Sequence, residues 1–254
     1  MCARLIARSL CGAIVSTWAL VGAVAPAASA QPCPDVEVVF ARGTGEPPGV
    51  GPTGDAFVNA LRSRVGGRSL GVYPVNYPAS EEWATGVDGI RDAGDRIVST
   101  AGSCPNTKMV LGGYSQGAAV MGFVTSPAIP DGVDPASVPK PLDPEVADHV
   151  AAVVLFGTPN ARAMNFLNEP PITIGPAYQA KTIQLCVPED PVCSDGINFA
   201  AHNAYVDEGS LINRGADFAA RRLGPAPAGG ATPQPVAPPA PAPPPPAPED
   251  APAP

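Results

Sequence analysis

One serine lies in a pattern that is typical of an activated nucleophile. Ser115 is the centre of Gly113-Tyr114-Ser115-Gln116-Gly117, which has the form G-x-S-x-G. In a turn of this type the serine stands between the end of a strand and the start of a helix, and the small flanking residues let the two elements approach closely. The helix N-terminus adds partial positive charge and free N–H groups. The pattern predicts a nucleophile for acyl transfer, with a Gly-rich helix entry in a packed core as the alternative.

A serine hydroxyl needs a general base, and the sequence contains two histidines. His202 follows the last predicted strand, whereas His149 opens a buried strand and has no loop after it. When the serine sits on a turn of this kind, the chain order is nucleophile, then acid, then histidine. We therefore expect His202 to be the base and His149 to be a structural residue at a strand edge.

The acid that orients the imidazole should lie between the serine and the histidine in the chain. Asp190 is favoured because it lies between Cys186 and Cys193, and a disulfide there would hold its carboxylate in place when the imidazole becomes charged. Asp195, just outside this loop, and Glu189 are the alternatives. Because Asp before Pro is a common turn, a purely structural role for the favoured residue is also open.

The tetrahedral intermediate of acyl transfer carries a negative oxygen that needs two or more hydrogen-bond donors. The backbone N–H of Gln116, directly after the nucleophile, is one expected donor. The other should come from the loop after an earlier strand, and the Arg-Gly-Thr-Gly segment at 42–45 fits. Thr44 in that segment can donate through both its backbone and its hydroxyl. A simple Gly-rich turn is the alternative.

Alternating strands and helices are predicted to position these residues. Strands are expected at 36–41, 72–77, 108–114, 149–156 and 182–186, and helices at 53–64 (with Thr53 as N-cap), 80–102, from 115 onward and 209–223. Pro74 marks the second strand as a candidate for the edge of the sheet. Irregular structure is expected at residues 126–145 and over most of residues 157–180. This order predicts an α/β fold, a three-layer α/β/α structure with a central, mainly parallel sheet. Sites in such sheets lie at the carboxyl ends of the strands.

Both ends of the 254-residue chain should lie outside this domain. Residues 1–30 combine a basic start, an apolar middle and small residues at the end, which predicts a secretory signal peptide cleaved near Ala30. A membrane anchor is the alternative, but the apolar stretch is short for a span, and we expect no transmembrane segment. The domain is then 31–223. Residues 224–254 are rich in Pro and Ala, which predicts a disordered, extended tail that could serve as a spacer for cell-envelope association.

Charge and cysteine content restrict the function classes. Outside 1–30 there remain 13 basic and 23 acidic residues, a net charge of −10 that repels nucleic acid and anionic lipid but not neutral esters. The four cysteines there allow three pairings. Cys186 and Cys193 would close a short loop, which leaves Cys33 to pair with Cys104. A metal site is disfavoured because paired C-x-x-C spacing and nearby histidines are lacking.

Four blocks in this order resemble the cutinase family, and more closely its secreted actinobacterial branch. They are the Ala-Arg-Gly-Thr-Gly-Glu run at 41–46, the G-x-S-x-G run at 113–117, an Asp between two Cys at 186–193, and His202 shortly after. The resemblance covers nearly all of 31–223. Thr44 departs from the family, in which many relatives carry Ser there, but the hydroxyl is kept.

The resemblance implies a site and an activity. The residues that it implies are the triad Ser115, Asp190 and His202, the oxyanion-hole residues Thr44 and Gln116, and the disulfides Cys33–Cys104 and Cys186–Cys193. We expect a monomeric, secreted serine esterase that uses no cofactor and no metal ion. Its substrates would be cutin-like polyesters, short- to medium-chain esters or lipids. A phospholipase, an acetylxylan-type esterase and a non-catalytic envelope-binding protein are the alternatives.

Overall fold

Five parallel strands form the centre of the protein in the order β2-β1-β3-β4-β5. Their bounds are β1 Val36–Ala41, β2 Leu70–Pro74, β3 Lys108–Tyr114, β4 Val150–Phe156 and β5 Thr182–Leu185. The residues of β1 are all buried, as expected for a strand covered on both faces. The edge strand β2 is partly exposed and carries Pro74 at its end. The predicted parallel α/β fold is confirmed.

Helices cover both faces of this sheet. They are α1 Gly51–Arg62, α2 Gly86–Ser103, α3 Gln116–Val124, α4 Ala161–Phe166, α5 Pro176–Gln179, α6 Phe199–His202 and α7 Gly209–Leu223, with 3₁₀ helices at Trp83–Thr85 and Pro144–His149. Alternate residues of β1 face the two layers, as the period of two in a strand requires. Val38 and Phe40 pack with α1 and α7, whereas Val39 and Ala41 pack with α2 and α3.

This computed structural model describes residues 32–207 and 209–225. The predicted signal peptide at 1–30 and most of the predicted tail at 224–254 lie outside the described residues. No helix in the part of the chain that is described has the length and apolar character needed to cross a bilayer.

Several predicted element boundaries are wrong for local reasons. α1 begins at Gly51 after Val50, and Thr53 is a buried residue inside the helix and not its N-cap. β2 ends at Pro74 and does not reach residue 77. Its partner strand β1 has only one residue, Ala41, after Phe40, which pairs with Pro74, so a longer β2 would have nothing to pair with. The segment at 157–180 contains α4 and α5, which are too short to produce a recognisable periodicity. His149 ends a 3₁₀ helix instead of opening a strand.

The two ends of the described domain are fixed at the amino edge of the sheet. Cys33, shortly before β1, is joined by a disulfide to Cys104 at the end of α2. Arg68, shortly before β2, donates hydrogen bonds of 3.1 Å to the carbonyl groups of Leu223 and Gly224. The candidate functional residues after β1, β3 and β5 lie at the opposite, carboxyl edge, because all the strands are parallel.

Candidate active site

Ser115 alone forms the turn between β3 and α3. Its backbone has φ +53° and ψ −118°, a strained conformation for a residue other than glycine. Its N–H donates a hydrogen bond of 2.9 Å to the carbonyl of Phe156. A Cβ on Gly117 would lie 2.0 Å from the Ala41 oxygen, and one on Gly113 would lie 2.2 Å from the Gly117 oxygen. Both glycines are therefore required for the close approach of strand and helix.

The turn brings Ser115 against the two side chains favoured from the sequence. Its Oγ lies 2.8 Å from His202 Nε2, and His202 Nδ1 lies 2.9 Å from Asp190 Oδ2. A neutral imidazole in this arrangement donates its Nδ1–H to the carboxylate, which leaves Nε2 free to accept the serine proton. His202 belongs to the short helix α6, whose N-terminus is capped by the Asn198 side chain.

Asp190 is fully buried and held by several donors. Besides His202, the Tyr205 hydroxyl donates to its Oδ2 at 2.6 Å, and the Val192 N–H donates to its Oδ1 at 2.8 Å. Burial opposes ionisation of this carboxyl, but the hydrogen bonds from these three groups outweigh burial and hold the pKa of Asp190 below its ordinary value. The carboxylate is therefore charged at neutral pH and faces the imidazole.

The other two acidic candidates are not hydrogen-bonded to the imidazole. Asp195 and Glu189 are exposed, whereas Asp190 is enclosed in a loop closed by the Cys186–Cys193 disulfide. Both predicted disulfides are present. The two loop sulfur atoms lie close enough to Asp190 to suggest a metal site, but in the disulfide they are not thiolate ligands. His149 lies at the amino end of β4, at the edge of the sheet opposite Ser115.

Two aromatic residues that the sequence did not single out surround the histidine. The Tyr114 ring stacks on the His202 ring with centroids 5.3 Å apart, and its hydroxyl donates to the His202 carbonyl. Tyr205 is 1% exposed, and its ring meets the imidazole edge-on at 6.2 Å. A signal for Tyr205 existed, because it follows His202 by three residues and carries a hydroxyl that needs a partner when buried. These rings restrict the orientation of the imidazole.

The loop that carries Thr44 is fixed on both sides of that residue. Arg42 is buried and donates to the Glu46 carbonyl at 2.8 Å and to the Tyr77 carbonyl. The Glu46 carboxylate accepts the Gly43 N–H at 2.7 Å. Burial raises the pKa of Glu46, and the Gly43 N–H and the Arg42 charge offset this in part. The loop is thereby held in one shape at the carboxyl end of β1, the strand beside β3.

Gln116 presents its backbone and side chain to different partners. As the first residue of α3, it has no intrahelical acceptor for its N–H. Its side-chain Nε2 donates to the Ser80 carbonyl at 2.9 Å, which ties α3 to the segment before α2. The N–H can therefore serve an oxygen bound beside Ser115, while the side chain holds the neighbouring segment in place.

Several known proteins are similar to this chain in sequence, in fold or in both. The cutinase family model matches residues 32–223. Carboxylesterase Culp1 of Mycobacterium tuberculosis is 48% identical over 229 residues, covering 88% of this chain and 98% of that protein. Phospholipase Culp4 of the same organism is 46% identical over 208 residues, covering 82% and 87%. The solved structure of Trichoderma reesei cutinase in complex with a phosphonate inhibitor is 34% identical with a TM-score of 0.58, covering 76% of this chain and 78% of that one.

The match to the family model runs over residues 32–223, a range that contains all four of the sequence blocks that suggested the family. The fold also agrees with that of the solved cutinase over about three quarters of this chain. The family prediction is confirmed. The chain belongs to the cutinase family of carboxylic ester hydrolases.

Proposed function

We propose that this chain is a secreted serine esterase in which Ser115, His202 and Asp190 act as nucleophile, general base and orienting acid. One observation carries the proposal, namely the continuous hydrogen-bonded contact from the Ser115 hydroxyl through the imidazole to a buried carboxylate. This arrangement supplies the proton acceptor and the counter-charge that a serine nucleophile requires.

The first half of the reaction forms an acyl-enzyme. Ser115 Oγ bonds to the ester carbonyl carbon while its proton moves to His202 Nε2, and Asp190 stabilises the resulting imidazolium. The carbonyl oxygen becomes an oxyanion that accepts hydrogen bonds from the Gln116 N–H and from Thr44. The carbon–oxygen bond to the alcohol then breaks, and His202 returns the proton to the departing alcohol oxygen.

The second half releases the acid. A water molecule bonds to the acyl carbon and gives its proton to His202 Nε2, and the tetrahedral oxyanion forms again at the same donors. The bond to Ser115 Oγ then breaks, the serine takes the proton back, and the carboxylic acid leaves. No group other than those of the chain and water is needed for the proton balance.

The proposed substrates are cutin-like polyesters, short- to medium-chain esters and lipids. A phospholipase is the second candidate because one relative carries that name. Hydrolysis of acetylated xylan in preference to the other substrates would indicate an acetylxylan-type esterase. A non-catalytic envelope-binding protein is the remaining alternative. The test is hydrolysis of p-nitrophenyl esters, a phospholipid and acetylated xylan, with a fluorophosphonate probe mapped by peptide mass. We expect ester hydrolysis and a single adduct on Ser115. Binding without hydrolysis or labelling would exclude an enzyme.

Export is also part of the proposal. The two disulfides are typical of oxidising compartments, and residues 1–30 have the composition of a signal peptide. N-terminal sequencing of protein from the culture medium should give Gln31 as the first residue. Retention of 1–30 on membrane-bound protein would show an anchor instead. Cell-envelope association through 224–254 is proposed as a further consequence of the Pro/Ala-rich composition.

The disulfide around Asp190 should matter for turnover. In a Cys186→Ser/Cys193→Ser variant we expect kcat to fall by up to about 100-fold, because a displacement of roughly 1 Å at the carboxylate misplaces the imidazole. A Cys33→Ser/Cys104→Ser variant is the matched control, since that disulfide lies at the opposite edge of the sheet and should affect stability instead of kcat. Unchanged kinetics in a folded loop variant would contradict the prediction.

A further inference from the structure

Arg42, the first residue after β1, carries a buried positive charge close to the proposed oxyanion hole. This arginine is 5% exposed. A Cβ on Gly117 would lie 2.4 Å from the Arg42 carbonyl oxygen, so Arg42 lies against the first turn of α3, where Gln116 is the first residue. Thr44 follows Arg42 by two residues, which limits the separation of their Cα atoms to about 7 Å. Both expected oxyanion donors therefore belong to residues close to Arg42.

The guanidinium of Arg42 is hydrogen-bonded to uncharged groups. Its Nε donates to the Glu46 carbonyl at 2.8 Å, and its terminal nitrogens donate to the carbonyl groups of Val75, Tyr77 and Pro78. Among the described residues, no carboxylate lies within ion-pair distance of this guanidinium. A buried charge is usually paired with an opposite one. The carbonyl groups satisfy the N–H donors without neutralising the positive charge, which is left to act on its surroundings.

Two negative charges act on the turn that carries the nucleophile. Burial raises the pKa of Tyr114, the residue before Ser115, and the charges of Glu46 and Asp190 raise it further. An oxyanion formed beside Ser115 is opposed by the same two carboxylates. The charge of Asp190 is balanced by the imidazolium that forms together with the oxyanion. The charge of Glu46 is opposed by that of Arg42, which acts on this carboxylate.

We propose that Arg42 is a positioning residue with a second role, in which its positive charge stabilises the oxyanion of both tetrahedral intermediates; this rests on the proposed function. The guanidinium is held in place before the reaction, so it needs no rearrangement when the oxyanion forms. Two unit charges about 10 Å apart, at an effective dielectric constant of about 20, change an equilibrium by roughly tenfold. The carbonyl oxygen is neutral in the bound ester and negative in the intermediate. The charge therefore favours the intermediate over the bound ester and raises kcat.

The test is the ionisation of the hemiketal that an alkyl trifluoromethyl ketone forms with Ser115, measured by fluorine NMR on the full chain. Ser115 Oγ bonds to the ketone carbon, the serine proton moves to His202, and the ketone oxygen becomes an oxyanion that takes up a proton at low pH. Arg42→Met removes the positive charge and should lower the acid ionisation constant of this hemiketal about tenfold. It should also lower kcat for p-nitrophenyl acetate at least about tenfold, with a smaller change in KM. Arg42→Lys keeps the charge without the planar fork and should change the ionisation constant by less than about threefold.

Two further variants protect the test against misfolding of Arg42→Met. Glu46→Gln removes a negative charge and keeps an oxygen that can accept the Gly43 N–H. It should raise the ionisation constant of the hemiketal, opposite in direction to Arg42→Met. Arg221→Met, at an exposed arginine of α7, is the matched control and should leave both the ionisation constant and kcat as in the wild type.

A purely structural role of Arg42 predicts a different pattern. Arg42→Met would then lower Tm and kcat while the ionisation constant of the hemiketal stayed as in the wild type, and this result would overturn the proposal. An unchanged constant in Glu46→Gln, or an equal fall in Arg42→Lys and Arg42→Met, would also overturn it. If the wild type forms no hemiketal on Ser115, the proposed function fails instead, which is a different result.

Discussion

Replacement of Ser115 by Ala should lower kcat for p-nitrophenyl esters by a factor on the order of 10⁶, as when a nucleophile is removed from an intact triad. In the proposed mechanism the Oγ is the atom that bonds to the substrate, and no other hydroxyl among the described residues is hydrogen-bonded to His202 Nε2. Alanine tolerates the strained backbone of the turn about as well as serine does, so the fold should persist. Steady-state kinetics and circular dichroism of the purified variant check both statements.

A matched serine variant completes that comparison. Ser99→Ala changes an exposed residue of α2 and should leave kcat within about twofold of wild type, as surface substitutions usually do. The fluorophosphonate probe should label Ser99→Ala and fail to label Ser115→Ala. Substantial turnover by Ser115→Ala would show that another residue is the nucleophile and would remove the basis of the proposed mechanism.

Asp190→Asn should be the second most damaging change, with kcat lower by a factor of about 10⁴. The asparagine amide can donate to His202 Nδ1, which favours the tautomer that carries its proton on Nε2. That nitrogen then cannot accept the Ser115 proton. The loss should appear in kcat more than in KM, because the carboxylate contacts the imidazole and not the substrate.

Two further variants separate the charge of the acid from its surroundings. Tyr205→Phe removes the hydroxyl that donates to Asp190 but keeps the carboxylate, and we expect a loss in kcat of about tenfold, the scale of one hydrogen bond to a charged group. Asp195→Asn, at the exposed alternative, should have no effect on kcat. If Asp195→Asn were as damaging as Asp190→Asn, the assignment of the acid would be wrong.

The sequence was most informative where local chemistry and spacing coincide. The apolar run that becomes β3, followed at once by Ser115 and two required glycines, indicated the strand–turn–helix directly. The spacing of Cys186, Asp190 and Cys193 indicated a braced carboxylate. In each case the relevant residues are close in the chain, so their geometry depends on a few backbone angles.

Features made by distant residues could not be predicted in the same way. Arg42 fixes the Thr44 loop through the Tyr77 carbonyl, 35 residues away. The position of Tyr205 after His202 was a signal, but the contact of its hydroxyl with Asp190 depends on the folding of the loop between them. An apolar cavity between α2 and α3 is lined by Gly86 and Gly94, and helical spacing alone does not say what a glycine faces. Helices of four to six residues, such as α4 to α6, have too few turns to show a period.

The chain enters and leaves the described domain at the edge of the sheet opposite Ser115. Cys33 and Arg68 hold both ends at the amino edge of the sheet, and the seven residues of β3 separate that edge from Ser115 by about 20 Å. A domain held close to Cys33 or Gly224 therefore presents the edge of the sheet that carries Ser115 away from the point of attachment. Esters in the surrounding medium, or on an opposing surface, then reach Ser115 without crossing the point of attachment.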